Sequence, residues 1–93
     1  MERSARDRPV DLAPSPWPEV ESADPLGEIA RRYVWLLKRS IGSQSVRSVA
    51  ARAGLHHATL DAVLSGRRWP DLATIGRLEI ALDTQFLRFD VPG

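Results

Sequence analysis

The run Ser48-Val49-Ala50-Ala51-Arg52-Ala53-Gly54-Leu55-His56-His57-Ala58-Thr59-Leu60-Asp61-Ala62-Val63-Leu64-Ser65-Gly66 restricts the fold more than any other part of this chain. Two short segments with apolar residues at three- and four-residue spacing flank one glycine, and alanines stand where two helices would have to touch. Gly54 can adopt the positive φ that a tight turn between the helices needs. Ala50 is small enough for the helices to cross closely. The pattern is that of a helix, a sharp turn and a second helix.

The flanking sequence extends the helical reading. Asp24-Pro25 predicts a helix start, with Asp as cap and Pro at the first helical position. Leu26, Ile29, Ala30, Tyr33, Leu36, Leu37 and Ile41 then form one apolar stripe, with Arg31, Arg32, Lys38 and Arg39 mainly beside or opposite it. Trp35 projects about 160–200° from the stripe's centre at 100° per residue, where it is a dimer contact, a dock for the N-terminal residues or a rim residue. Gly42 ends this helix as a left-handed cap would. Ser43 or Ser45 caps a second helix, which buries Val46, Val49, Ala50 and Ala53. A third starts near His56 or His57, buries Leu60, Val63 and Leu64, and stops at Ser65-Gly66. Asp71 caps a fourth that buries Leu72, Ile75, Leu78 and Leu82. Gly76 inside it costs up to about 1 kcal/mol relative to alanine, and close packing is the only reason the pattern offers. Thr84-Gln85-Phe86-Leu87 add one helical turn, and Arg88 to Gly93 read as coil or a short strand. The expected class is all-α, with four or five short helices.

Length and composition narrow the options. Ninety-three residues allow one small domain. With no cysteine, a disulfide scaffold and a thiolate metal site are both excluded, which fits a reducing compartment. The longest apolar run, Tyr33-Val34-Trp35-Leu36-Leu37, is far from membrane-spanning length. No signal-peptide core is evident, so the expected location is cytoplasmic, with association to the nucleoid when bound to DNA. Five of the seven prolines lie in the first 25 residues with little apolar sequence between them. Residues 1–23 therefore read as a disordered, acidic, proline-rich tail and residues 24–93 as the domain. Trp17 is the exception: it docks on a groove of its own domain or of a partner, or stands exposed. The net charge of +1 is unevenly spread. Residues 1–25 hold three arginines against six acids, a balance of −3; residues 26–93 hold ten Lys and Arg against six acids, a balance of +4.

Residues from about 43 to 83 resemble the lambda-repressor and Cro type of helix-turn-helix, the XRE family. The resemblance rests on Val49-Ala50, Gly54-Leu55, Leu60 and Val63, the connector Ser65-Gly66-Arg67-Arg68-Trp69-Pro70, and Leu72, Ile75, Leu78, Ala81 and Leu82. With the first helix it covers about three-quarters of the chain. It implies a lambda-repressor-like bundle and double-stranded DNA as partner, with the third helix in the major groove. It also implies a transcriptional regulator, acting as a homodimer with reading helices about 34 Å apart. No cofactor is implied. The sequence departs from the family at Val46, where glutamine is common, and at Leu64, where glutamate is frequent. The reading face carries no Arg or Lys, which points to low specificity or to readout of DNA shape.

Under that resemblance, His57, Ala58 and Thr59 are the base-edge candidates. Ala58, Ala62 and Ser65 face outward, with His56 at the exposed helix start. Asp61 either accepts from a cytosine amino group or repels a phosphate and so rejects wrong registers. The amides near Gln44, Ser45 and His57 suit phosphate oxygens, and Arg47, Ser65, Arg67 and Arg68 add backbone contacts that set affinity and position. Dimer contacts are expected around Phe86, Leu87 and Phe89, or around Trp35. The acidic N-terminal residues are expected to compete with DNA for the basic face.

The rival reading is a protein-interaction module, an antitoxin or adaptor that presents Trp17, Trp35 or the C-terminal aromatics. Catalysis has little support. There is no cysteine nucleophile and no Gly-rich phosphate loop, Glu79 sits too near the core face to be an obvious general base, and the histidines lack a recognisable serine or carboxylate constellation. His57 and Asp61, four residues apart, make only a poor two-ligand metal site.

Overall fold

Three short polar side chains set where the helices begin. In the computed structural model, which describes residues 7–86, Asp24 accepts from the amides of Leu26 and Gly27 and opens α1, Pro25–Ile41. Ser45 Oγ accepts from Ser48 N at 3.0 Å and opens α2, Val46–Ala53. Asp71 Oδ1 accepts from Thr74 N at 2.7 Å and opens α4, Leu72–Leu82. The remaining helix, α3, spans His57–Leu64 with His56 at its cap position and no side chain bonded there. All regular structure among the described residues is helical. A 3-10 turn, Pro9–Leu12, precedes the four helices.

The core lies where α1, α2, α3 and α4 meet. Leu37, Val49, Leu60 and Leu78 are wholly buried, and Val34, Val63 and Ala50 nearly so. Tyr33, Ile41 and Ala53 complete the cluster. Phe86 packs edge-on against Tyr33, with ring centroids 5.5 Å apart. Packing of this kind, rather than helix propensity, is what holds helices of eight residues in place.

The inward face of α1 differs from the expected stripe. Leu26, Ile29 and Leu36 are 39%, 64% and 44% exposed, while Arg31 and Val34 are buried. The cause is the N-terminal segment. Residues 7–23, expected to be disordered, run across α1 and reach the far end of α3. Pro9 and Pro18 are buried and Trp17 is half-buried against the core. Trp17 Nε1 donates to Leu64 O at 3.0 Å, Val10 N donates to Gly66 O at 2.9 Å, and Trp69 Nε1 donates to Asp7 O at 2.7 Å. Ser22 Oγ donates to Leu12 O and so closes the segment on itself. Residues 1–6 of the expected tail lie outside the described residues.

Two glycines admit this strap. A Cβ at Gly27 would stand 2.7 Å from Leu12 O, so α1 needs a bare backbone where the strap crosses. A Cβ at Gly66 would stand 2.8 Å from Trp17 Cε2, and Gly66 also has φ +75°. Such a φ is strained for a residue with a side chain. Arg31 is sealed beneath the strap but fully engaged. It pairs with Glu28 through Nε and Nη2 at 2.8 and 2.7 Å and donates from Nη1 to Pro18 O at 3.1 Å.

Other expectations change in detail. Gly42 closes α1 with φ +57° and ψ −127°, outside the left-handed helical basin. Leu72 is 70% exposed instead of buried, because the inward face of α4 is made by Thr74 and Leu78. Gly76 has open space around it among the described residues: a Cβ there would meet none of them within 4 Å, so packing against them does not explain it. The helical turn expected from Thr84 does not form over residues 84–86, which follow the left-handed Asp83 as coil. Leu87 to Gly93 lie outside the described residues. No helix among the described residues is long and apolar enough to cross a membrane.

Candidate nucleic-acid interface

The turn between α2 and α3 is built by Gly54, which has φ +70° and ψ +31°. Only a residue without a side chain takes that conformation cheaply. Gly54 N and Leu55 N bond back to Ala51 O and Ala50 O, at 3.2 and 2.9 Å. The turn directs α3 away from α2, and burial of Leu60 and Val63 fixes its rotation. What remains outside is a ridge of exposed residues, His57, Ala58, Asp61 and Ser65, preceded by exposed His56. At 1.5 Å per residue, α3 is about 12 Å long. None of the described residues covers this ridge.

The expected site residues divide into four groups. His56, His57, Ala58, Asp61 and Ser65 share the exposed ridge. Thr59 and Ala62 are half-buried and present only part of their surface. Gln44, Ser45 and Arg47 stand at the start of α2, and all three are exposed. Gln44 is committed: its Nε2 donates to Ile41 O at 3.1 Å, and its Oε1 accepts from Arg52 Nη2 at 2.7 Å. Ser45 spends its hydroxyl on the helix cap. Both contribute backbone amides and shape to a site rather than free side-chain donors. At the other end of α3, Arg67 Nε donates to Ser65 Oγ at 2.7 Å, which holds the guanidinium against the ridge. Arg68 is exposed beside it.

Two arginines join this region that sequence reasoning did not single out. Arg52, exposed on α2, is held by Gln44. Arg77 reaches from α4 to the turn, its Nη1 3.1 Å from where a Cβ of Gly54 would stand. Arg52 was legible as an outward position of α2, whereas nothing local in the sequence places Arg77 against Gly54. Arg77 and Arg68 also lie near Asp71, whose carboxyl is held below the ordinary range mainly by hydrogen bonds from Thr74, with the two guanidinium groups adding to the effect.

Charge is segregated along the chain. Residues 44–68 carry four arginines and one acid, Asp61. Residues 7–28 carry six acids and one arginine. In that acidic part Arg8 holds the Asp11 carboxyl down to about 2, through hydrogen bonds from its side chain and backbone. No cluster of three His, Cys, Asp or Glu residues suited to a metal ion occurs among the described residues. The aromatic and C-terminal candidates fare differently from one another. Trp17 is engaged with its own domain, and Phe86 with Tyr33. Trp35 is half-buried under the Arg39 guanidinium, 4.6 Å from the ring centroid. Leu87 and Phe89 lie outside the described residues. Comparison with profiles of known protein families and with curated proteins gives no match to this chain.

Proposed function

We propose that this protein is a non-catalytic, cytoplasmic, DNA-binding transcriptional regulator of the lambda-repressor and Cro type, and that it acts as a homodimer. Helix α2, the Gly54 turn and α3 then form a helix-turn-helix, with α3 in the major groove. The observation that carries this reading is the uncovered ridge His57–Ala58–Asp61–Ser65, bounded by the exposed arginines Arg47, Arg52, Arg67 and Arg68. An α-helix, about 10–12 Å across with its side chains, fits a major groove about 12 Å wide. The arginines bond phosphates and set affinity; His57 and Ala58 touch base edges and set sequence preference. Asp61 on the ridge disfavours registers that bring it to a phosphate.

Fluorescence-anisotropy titration of labelled duplexes at several salt concentrations tests the reading. The expected result is binding at low ionic strength, with log affinity falling linearly in log salt. Arg67→Glu with Arg68→Glu should abolish it, and Arg68→Gln alone should lower the salt slope by about 1. Absence of salt-dependent binding refutes the reading.

One observation favours a protein-interaction role beside it. A cavity of about 440 Å³ on the outer side of α1 is lined by Glu19, Glu21, Arg31, Arg32, Trp35 and Leu36. If an antitoxin- or adaptor-like contact is made there, Trp35→Ala weakens it while DNA binding is retained.

A further inference from the structure

We propose that the N-terminal strap is a brace for phosphate binding, which fixes the connector after α3 and so holds Arg67 and Arg68 in place on a duplex. Three bonds join the strap to residues 64–69. Trp17 Nε1 donates to Leu64 O at 3.0 Å, Val10 N to Gly66 O at 2.9 Å, and Trp69 Nε1 to Asp7 O at 2.7 Å. Both arginines stand inside this bracket, between the anchors at Gly66 and Trp69. Gly66 is buried, with Trp17 Cε2 and Val10 Cβ 2.8 and 2.9 Å from where its Cβ would stand. Arg67 and Arg68 are exposed. Their backbone is pinned while their side chains stay open to solvent.

Helix α3 supplies only part of this order. Gly66 N bonds to Val63 O and Arg67 N to Ala62 O, at 3.1 and 2.9 Å, which steadies the connector as far as Arg67. The strap holds the far side, at Trp69. Immobilising a long side chain at an interface costs affinity, and a connector ordered in advance removes part of that cost. Trp17, Val10 and Trp69 are therefore positioning residues that act through Arg67 and Arg68. Phosphate binding by these arginines rests on the DNA reading; the bracing itself does not.

Competition of the acidic N-terminal residues with DNA, expected from sequence, predicts the opposite sign. Releasing the strap strengthens binding if its acids compete and weakens binding if it braces. The placement of charge favours the brace. Glu19 and Glu21 line the cavity on the outer side of α1, together with Arg31 and Arg32. At the connector end the strap carries Asp7, Arg8 and Asp11, of which the last two form a salt bridge at 2.9 Å.

Two measurements on the full chain test the proposal, with circular dichroism to confirm folding. Trp17→Ala removes the indole, whereas Trp17→Phe and Trp69→Phe each remove one donor and keep a ring. Without DNA, backbone amide relaxation should give order parameters near about 0.85 for Ser65 to Trp69 in the wild type and below about 0.6 in Trp17→Ala. Those of His57 to Leu60 should not change. On a duplex at fixed salt, Trp17→Ala should bind about tenfold more weakly, and Trp17→Phe should fall between it and the wild type. In an Arg67→Gln, Arg68→Gln background the same substitutions should change affinity by less than about twofold. A merely structural loss would lower affinity by the same factor in both backgrounds. Should Trp17→Ala unfold, the double variant Trp17→Phe, Trp69→Phe lacks both donors and carries the same expectations. Unchanged or tighter binding by these variants, an equal loss in both backgrounds, or a connector as ordered as in the wild type overturns the proposal. If the wild type binds no duplex but the variants loosen the connector, the brace stands and the DNA reading falls. If the wild type binds and the variants neither loosen the connector nor weaken binding, the reverse holds.

Discussion

If the strap is seated as described, Gly66 and Trp17 should be energetically coupled, and the coupling can be estimated. Gly66→Ala places a methyl group at φ +75°, in the left-handed region, 2.8 Å from Trp17 Cε2 and 2.9 Å from Val10 Cβ. The backbone penalty is about 1–2 kcal/mol, and overpacking adds about 1–3 kcal/mol. Trp17→Ala removes a half-buried indole and its bond to Leu64 O. Full removal of a buried Trp costs about 3–5 kcal/mol, so a half-buried one should cost about 2–3 kcal/mol. In the Trp17→Ala background the indole clash disappears, while the φ penalty and the Val10 contact remain. Gly66→Ala should then cost about 1–2 kcal/mol less than in the wild type, a coupling typical of touching residues. Urea unfolding of the four proteins, followed by far-UV circular dichroism, measures it. Gly54→Ala, also at positive φ but close to Arg77 rather than Trp17, is the control and should add to Trp17→Ala. Additivity of Gly66→Ala with Trp17→Ala within about 0.5 kcal/mol would show that the strap does not press on the end of α3.

Two helical glycines should respond in opposite directions to the same substitution. Gly27→Ala drives a methyl into Leu12 O and should destabilise by about 1–3 kcal/mol despite better helix propensity. Gly76→Ala meets nothing and should stabilise the dilute protein by about 0.5–1 kcal/mol, raising Tm by about 2–8 °C; equal signs in thermal scans would contradict the geometry. The Glu28 carboxyl is held far below its ordinary value, first by Arg31, then by the Ser22 amide and Arg32. A depressed carboxyl contributes stability that is present above the unfolded-state value near 4.5 and lost as pH falls below it. Glu28→Gln should flatten the fall in Tm between about pH 5 and pH 2, leaving a residual slope from Asp11 and Asp71, whose carboxyls are also depressed. A Glu28→Gln profile parallel to the wild type rules out the Glu28–Arg31 pair as an acid-sensitive contact.

Helix boundaries were legible because they depend on neighbours in sequence. Asp24, Ser45 and Asp71 cap three of the helices from positions where their side chains reach amides two or three residues on. The Gly54 turn was legible for the same reason. What escaped was the choice of buried face on α1. That choice depends on a segment whose anchors, Leu64, Gly66 and Trp69, lie some 47 to 62 residues from their partners in the chain. A proline-rich stretch reads as disordered while its apolar residues are counted only against one another. Pro9, Trp17 and Pro18 find their burial on other elements. On the candidate site, the wheel of α3 gave the ridge but overestimated the reach of Thr59 and Ala62, both half-buried. Composition could not reveal that Gln44 is spent on Ile41 and Arg52, because that is a matter of side-chain geometry at a helix start.

The strap also imposes an order on synthesis. Trp17 emerges from the ribosome some 47 residues before the carbonyl it will bond, and Asp7 some 62 residues before the indole that will hold it. At about 5–20 residues per second the wait is roughly 2–12 s. During that time the strap can contact α1, but its bonds to Leu64, Gly66 and Trp69 wait. The far anchors of the strap are thus among the last contacts to form, and a nascent domain cut short before residue 64 holds it only through α1, by way of Arg31 and Gly27.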